Sequence, residues 1–324
     1  MMYRMISKAL FQLSPENAHG FSLGLLHGAR TVPGVSAVMR WMTSAHPGQS
    51  REILGLRFCN PIGIAAGFDK NAEHVDALID LGFGFIEIGS ITAQPSPGNP
   101  QPRLFRLTDD QAIINRMGLN NLGVDAIVPR LAALKRTVPI FINVAKSHDS
   151  SLVGDAAVQD YVETVSKVHP FADVLVLNIS CPNSGDGRTF EDSDVLRPLL
   201  NAVQNVLGDD GPPLFVKVSP DLNDELLASV IDISIEQGVS GFTATNTTTD
   251  RSGLKMSEEG LSEIGSGGLS GLPLHERAVR TVRAIRNRTD LPIVGVGGVM
   301  GPIQANAFIE AGASLVQLYT GFIY

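Results

Sequence analysis

Four asparagines, two lysines and one cysteine stand out because little else around them is polar. Asn143 lies in IFINV, Asn178 closes VLVLN, Asn183 follows in ISCPNS, and Asn246 follows GFTAT. Lys70 sits in AAGFDK, and Lys217 is the only charge within LFVKV. Cys181 lies between Asn178 and Asn183. A primary amide has two donors and an acceptor oxygen, so a group of asparagines suits a planar polar ring or a carboxylate. Buried amides without partners are costly, and a large polar ligand would satisfy the set. Lysines beside such a ligand favour an anion, the reduced form of a flavin being one example. A thiol has an ordinary pKa of about 8.5, so a small fraction is ionised near neutral pH, far more than for a serine hydroxyl. Cys181 is therefore the expected proton acceptor. Each residue also has a plainer reading as a cap, a surface lysine or a small core residue, and Cys59 is read as the last of these.

These residues need elements that bring them together. A polar hairpin over Glu52–Phe58, with Gly55 near its middle, is expected to cover one end of a barrel. Eight short apolar runs come after it: Ile62–Ala66, Phe85–Ile88, Ile140–Val144, Val174–Ile179, Leu214–Val218, Gly241–Thr245, Ile293–Val296 and Leu315–Leu318. Near-continuous apolar character marks strands buried on both faces of a parallel sheet. The spacing predicts helices near 72–81, 121–134, 155–168, 192–207, 223–237, 274–287 and 302–311. Eight strand–helix units predict an α/β fold, a (β/α)8 TIM barrel, with no residues left after the eighth strand for a full final helix. No GxGxxG follows the first strand, which argues against a dinucleotide-binding open sheet.

Barrel sites form where strands end, and there the sequence gives Ala66, Gly67 and Lys70, then Ser90, Asn143 and Lys146, Asn178, Lys217, Thr245 with Asn246 and Thr247, Gly297 with Gly298, and Tyr319 with Thr320. The glycines after strand seven and the YTG after strand eight fit a phosphate held by backbone N–H groups. Two excursions, 92–120 and 246–273, are too long for simple turns and are expected to build or cover the site. RLFRL and AIIN read as a hairpin around Asp109 and Asp110.

Composition narrows the alternatives. The chain has 324 residues, 44% of them hydrophobic, and a net charge of −8. That composition excludes extended disorder, and the acidity argues against general nucleic-acid binding. Two cysteines make no disulfide framework, and no Cys/His cluster has zinc spacing, so no metal is expected. No apolar run approaches the about 20 residues of a spanning helix. The first 50 residues nevertheless carry four basic side chains against Glu16 alone. Two short helices are expected there, one over about 2–12 and a second starting at Ser14-Pro15. Such a pair reads as a membrane-surface anchor or as a cap on the main body.

The motifs AAGFDKNAE, FIEIGSITAQPSPGNPQPRLFRL, INRMGLNNLGVD, NISCPNS, VKVSPDL, ATNTTTDRS, GGLSGLPL, IVGVGG and GASLVQLYTGFIY resemble the dihydroorotate dehydrogenases in order and spacing over nearly the whole chain. The N-terminal pair and the PGNPQPRLFRL and NRMGLNNLGVD segments resemble the class 2, quinone-dependent, membrane-associated branch. The resemblance implies a barrel, residues 46–324, that holds FMN, preceded by a helical segment, residues 1–45, for membrane docking and quinone access. It implies oxidation of (S)-dihydroorotate to orotate in de novo pyrimidine biosynthesis. A base takes the C5 proton while hydride leaves C6 for flavin N5, and a quinone is the final acceptor. By matching motif, Ala66, Gly67, Lys70, Ser90, Asn143, Asn178, Lys217, Thr245, Gly271, Gly298, Tyr319 and Thr320 would contact FMN. Lys70, Asn115, Arg116, Met117, Gly118, Leu119, Asn178, Asn183, Asn246 and Thr247 would line the orotate site, and Cys181 falls on the base. A monomer on the cytoplasmic face of a bacterial inner membrane is expected, bound peripherally through the N-terminal helices.

The chain departs from the class 2 pattern in two places. That branch usually has serine as base, in a motif like SSPNT, where this chain has SCPNS; cysteine is the habit of class 1 enzymes and dihydropyrimidine dehydrogenases. SGDGRTFED also replaces a continuation with PGLR. The alternatives are a dehydrogenase of a related dihydropyrimidine, one using fumarate or NAD, or a non-catalytic FMN-binding barrel.

Overall fold

The computed structural model describes residues 10–43, 49–180 and 190–324. Cys181, Asn183 and most of the helix expected over 2–12 lie outside the described residues.

Strands β1 (Arg51–Ile53) and β2 (Leu56–Phe58) pair as an antiparallel hairpin. Eight parallel strands then close a barrel: β3 (Ile62–Ile64), β4 (Phe85–Ile91), β7 (Ile140–Val144), β8 (Val174–Asn178), β9 (Leu214–Val218), β10 (Gly241–Ala244), β12 (Ile293–Val296) and β13 (Leu315–Leu318). β13 pairs back onto β3, so no edge is left open. All eight coincide with the predicted apolar runs to within three residues. The helices between them match as well; that over Asp155–Val168 has the predicted bounds.

The hairpin does what its position predicts. Phe58 is buried and packs with Phe85, Phe141, Val174, Val176, Phe215, Val294 and Leu315. Its ring centroid lies 5.7 Å from that of Phe85 and 6.2 Å from that of Phe141, both near edge-to-face. The N-terminal end of the barrel is thus filled with aromatic and branched side chains, and only the opposite end is left to hold a ligand. Cys59, expected in the core, is instead exposed. The hairpin turns Phe58 inward, and the next residue points out.

The two excursions join into one structure. β5 (Leu104–Leu107) and β6 (Ala112–Asn115) form the expected hairpin around Asp109 and Asp110. A strand not anticipated, β11 (Gly268–Gly271), adds to β6 with Leu269 opposite Ile114. Its sequence, GLSG, carries no alternating pattern of its own; pairing with β6 supplies the order. A helix over Glu258–Ile264, also not anticipated, starts with Ser257 capping Gly260 N–H. After β13 comes a single turn, Thr320–Ile323.

At the N-terminus, α1 (Pro15–Arg30) begins as the sequence predicts, with Ser14 Oγ accepting from Asn17 N–H and Pro15 in the first turn. α2 (Val35–Met42), not anticipated from the sequence pattern, comes next. Leu23 packs into the main core. Arg30 and Arg40 do not face outward together: Arg30 Nε lies 2.8 Å from one Asp80 carboxylate oxygen and Arg40 Nη1 lies 2.6 Å from the other. Burial works against ionising Asp80, yet bonds from Ser36, Arg30 and Arg40 hold its carboxyl below the usual range. Arg30 and Arg40 therefore help dock the two helices onto the barrel, while several apolar side chains are left outward: Phe21, Leu25, Val32 and Val38 are exposed, and Trp41 and Met42 are 77% and 73% exposed. Among the described residues no helix is long and apolar enough to cross a membrane.

Candidate active site

A cavity opens at the C-terminal ends of the barrel strands. Its wall contains Ala66, Gly67, Lys70, Ser90, Asn178, Lys217, Thr245, Gly271, Gly298, Tyr319 and Thr320. It also contains Asn115, Met117, Gly118, Leu119, Asn246 and Thr247, which β6 and the two excursions bring over the opening.

The asparagines are linked to one another across neighbouring strands. Ser90 Oγ donates to Asn143 Oδ1 at 2.5 Å and accepts from Asn178 Nδ2 at 3.3 Å. Asn246 Nδ2 donates to Asn178 Oδ1 at 3.2 Å and to Ser180 Oγ at 3.1 Å, and Asn246 Oδ1 accepts from Thr247 N–H. The amides are thus oriented before any ligand arrives, and Asn178 and Asn246 keep spare hydrogen-bonding capacity at the wall. Asn143 stands apart: it is fully buried, with its oxygen held by Ser90 and its Nδ2 donating to Glu87 Oε1 at 2.7 Å. Its place is behind Ser90 rather than at the wall.

The structure does not bring Arg116 into the cavity either. Its guanidinium stacks on the Phe105 ring, donates to Pro102 O at 3.1 Å, and bonds Ile264 O. It ties the first excursion to the second, and Asn115 and Met117 on either side reach the wall.

Burial of Lys70 lowers its pKa to about 8, with Arg103 adding to the effect. An ammonium this deep favours an anionic neighbour. Tyr319 is pushed up to about 12 by burial and stays a neutral hydroxyl, donating to Gly67 O at 3.4 Å. At the far wall Gly298 has φ +65°, and a Cβ there would stand 2.6 Å from Gly271 O. Gly271 has φ +100°, and Thr320 Oγ1 shares a 2.9 Å bond with Ser270 Oγ. This corner offers close backbone approach beside hydroxyls, as a phosphate requires.

These residues fit FMN on chemical grounds. The glycine corner suits its phosphate, the hydroxyls and amides suit its polar edge, and the two lysines suit the charge of its reduced form.

A scan against family models matches residues 49–324 to the family described as dihydroorotate dehydrogenase. The chain belongs to the dihydroorotate dehydrogenase family. A relative from Thermobifida fusca, named dihydroorotate dehydrogenase (quinone), is 44% identical over all of this chain and 88% of its own length. One of the same name from Azotobacter vinelandii is 42% identical, over all of this chain and 93% of its own length. A solved dihydroorotate dehydrogenase from Eimeria tenella, in complex with ferulenol, superposes with a TM-score of 0.82 at 36% identity, over 96% of this chain and 87% of that one.

Three residues escaped the sequence reading: Gln317 and Ser270 at the cavity wall, and Glu87 behind it. Glu87 is the lone charge in FIEIGSI and Gln317 the lone amide in LVQL. Isolated polar side chains inside strands buried on both faces are the signal that marks them.

Proposed function

We propose that this chain oxidises (S)-dihydroorotate to orotate with FMN as cofactor and a quinone as electron acceptor, in de novo pyrimidine biosynthesis. The observation that carries the reading is the convergence of most of the matched strand-end residues on one cavity, in a chain whose full-length relatives bear that name. FMN would supply the two-electron redox chemistry, accepting hydride and passing electrons to the quinone, which no side chain provides.

The side chains bind, orient and move a proton. Asn178, Asn246 and Asn115 supply donors and acceptors to the substrate ring, and Lys70 offsets its carboxylate. Asn183 and Thr247 belong to the same set by their place in the motifs. Gly271, Gly298 and Thr320 hold the cofactor phosphate, while Ala66, Gly67, Ser90, Lys217, Thr245 and Tyr319 shape the bed for its ring. Cys181 takes the C5 proton as a thiolate. Thiolate chemistry works nearer neutral pH than a serine at the same place would allow.

The N-terminal segment, residues 1–45, is the quinone port and the peripheral contact with the membrane, on its cytoplasmic side. Support comes from the exposed Phe21, Leu25, Trp41 and Met42 on helices whose arginines are paired with Asp80. The protein acts as a monomer.

The test is an acceptor panel on the flavin-loaded protein: dihydroorotate with a ubiquinone analogue, fumarate or NAD in parallel. Turnover with the quinone alone is expected. Flavin left oxidised by dihydroorotate under every acceptor would overturn the reading and favour another dihydropyrimidine, which the cysteine base and SGDGRTFED loop motivate. Cys181→Ala should keep FMN but lose its reduction, and Cys181→Ser should shift the activity profile to higher pH. Full activity in Cys181→Ala would sink the assignment of the base.

A further inference from the structure

Between the apolar plug of the barrel and the cavity lies a polar layer whose central residue the proposed reaction does not use. Its centre is Glu87, fully buried on β4. The carboxylate meets three other strands. Oε1 accepts from Asn143 Nδ2 of β7 at 2.7 Å and lies 3.8 Å from Lys217 Nζ of β9; Oε2 accepts from Gln317 Nε2 of β13 at 2.5 Å. Lys217 and Gln317 are themselves wall residues of the cavity, and Asn143 holds Ser90, which is another.

A carboxylate in such surroundings is expensive unless every lone pair has work to do. Phe85, one inward position below on the same strand, belongs to the apolar plug, and an apolar residue at 87 would continue that packing. The chain instead carries a charge with three partners on three strands, and each partner leads to the wall by itself or through Ser90. The arrangement also leaves Gln317 with one fixed orientation: Nε2 faces the carboxylate, and Oε1 is a buried acceptor without a partner among the described residues.

We propose that Glu87 is the positioning residue of the cavity floor. It holds Lys217, Gln317 and the Asn143–Ser90 pair in place, and it sets the redox potential of the bound flavin by offsetting the Lys217 charge. This inference rests on the flavin reading above. An uncompensated ammonium at the cavity wall favours the electron-rich reduced state; a carboxylate 3.8 Å from that ammonium counters it. Glu87 therefore keeps the bound flavin a weaker oxidant than Lys217 alone would make it.

The experiment compares flavin-loaded wild type with Glu87→Gln, which keeps size and removes charge. Two quantities are read: the two-electron midpoint potential by dye equilibration, and the FMN dissociation constant of the oxidised protein. Glu87→Gln is expected to favour reduced over oxidised flavin at least tenfold more than wild type does, a rise of about 30 mV for a two-electron couple. A purely structural glutamate would lower thermal stability and leave the potential where it was.

An unchanged potential in Glu87→Gln, with unchanged FMN affinity, overturns the proposal. If Glu87→Gln does not fold, Glu87→Asp draws the carboxylate back by one methylene, and an unaltered potential there is equally fatal. Wild-type protein that takes up no FMN would instead bring down the flavin reading itself, so the two failures are distinct.

Discussion

Arg103, on the excursion after β4, clasps Glu16 of α1: Nη2 lies 2.6 Å from Oε1, and Nε reaches both carboxylate oxygens. Arg103 also donates to Pro97 O and Asn99 O, so one guanidinium joins the helical segment to the loop over the cavity. The hydrogen bond from Arg103 holds the Glu16 carboxyl below its usual range. A depressed carboxyl stabilises above its unfolded value of about 4.5 and loses that contribution as pH falls through the folded value.

Arg103→Gln should accordingly loosen α1 without emptying the cavity. Losing one partner of a part-buried charged pair costs about 1–3 kcal/mol. Turnover with a quinone analogue should fall several-fold, while reduction of bound flavin by dihydroorotate changes little. Equal loss in both half-reactions would mean that the clasp serves the cavity rather than the helix.

His19 gives the same helix a second pH response. Its Nε2 lies 3.1 Å from Phe68 O and its ring meets Phe68 edge-on. Burial, with Lys70 nearby, lowers its pKa to about 4. The folded state thus takes a proton less readily than the unfolded one, so stability falls as pH drops from about 6.5 through 4. Trp41 is the sole tryptophan, and it lies on α2. Its emission should report a transition in that window, and His19→Gln should abolish that step. A wild-type signal flat from pH 7 to 4 would show that the histidine does not hold the helix.

The barrel was legible because strands buried on both faces leave continuous apolar runs, and the long runs bounded by Gly and Pro were placed nearly to the residue. β11 was not, because GLSG acquires its order from β6 and not from its own pattern. Site residues at strand ends were legible for the same topological reason: a polar residue closing VLVLN or following GFTAT lies at the opening. Arg116 was misleading, since its neighbours Asn115 and Met117 reach the wall while its own side chain turns out to Phe105. Glu87 was overlooked because it sits well before its strand's end, in the stretch where a barrel interior is expected to be apolar.

Trp41 also tests the membrane contact. Exposed Phe21, Leu25, Trp41 and Met42 make an apolar surface with its nearby arginines occupied by Asp80. Vesicles of neutral lipid should therefore blue-shift the emission almost as well as anionic ones, and Trp41→Ala with Met42→Ala should weaken partitioning about tenfold or more. Binding that requires anionic lipid and vanishes in moderate salt would contradict the charge arrangement.

The glycine corner makes a sharper demand. Alanine at Gly298 would have φ +65° and a Cβ 2.6 Å from Gly271 O and 2.8 Å from His275 Cβ. The left-handed backbone costs about 1–2 kcal/mol and the overpacking about 1–3 kcal/mol. Gly298→Ala should purify with little flavin and regain it only at raised FMN concentration. Normal flavin content would remove this corner from the phosphate site.

Lys70 links ligand binding to pH. Its pKa of about 8 is set chiefly by burial. Because the folded value lies below the unfolded 10.5, the folded chain releases this proton first, and stability rises as pH climbs from about 8 to 10.5. An anion bound beside the amine works the other way and restores the ammonium. Orotate should bind with proton uptake near pH 8 to 9, measurable by calorimetry in two buffers of different ionisation enthalpy. Its affinity should fall by up to about tenfold per pH unit above 8. Lys70→Met should weaken orotate binding at pH 7 and flatten that dependence; a slope that survives the substitution would assign the proton to another group.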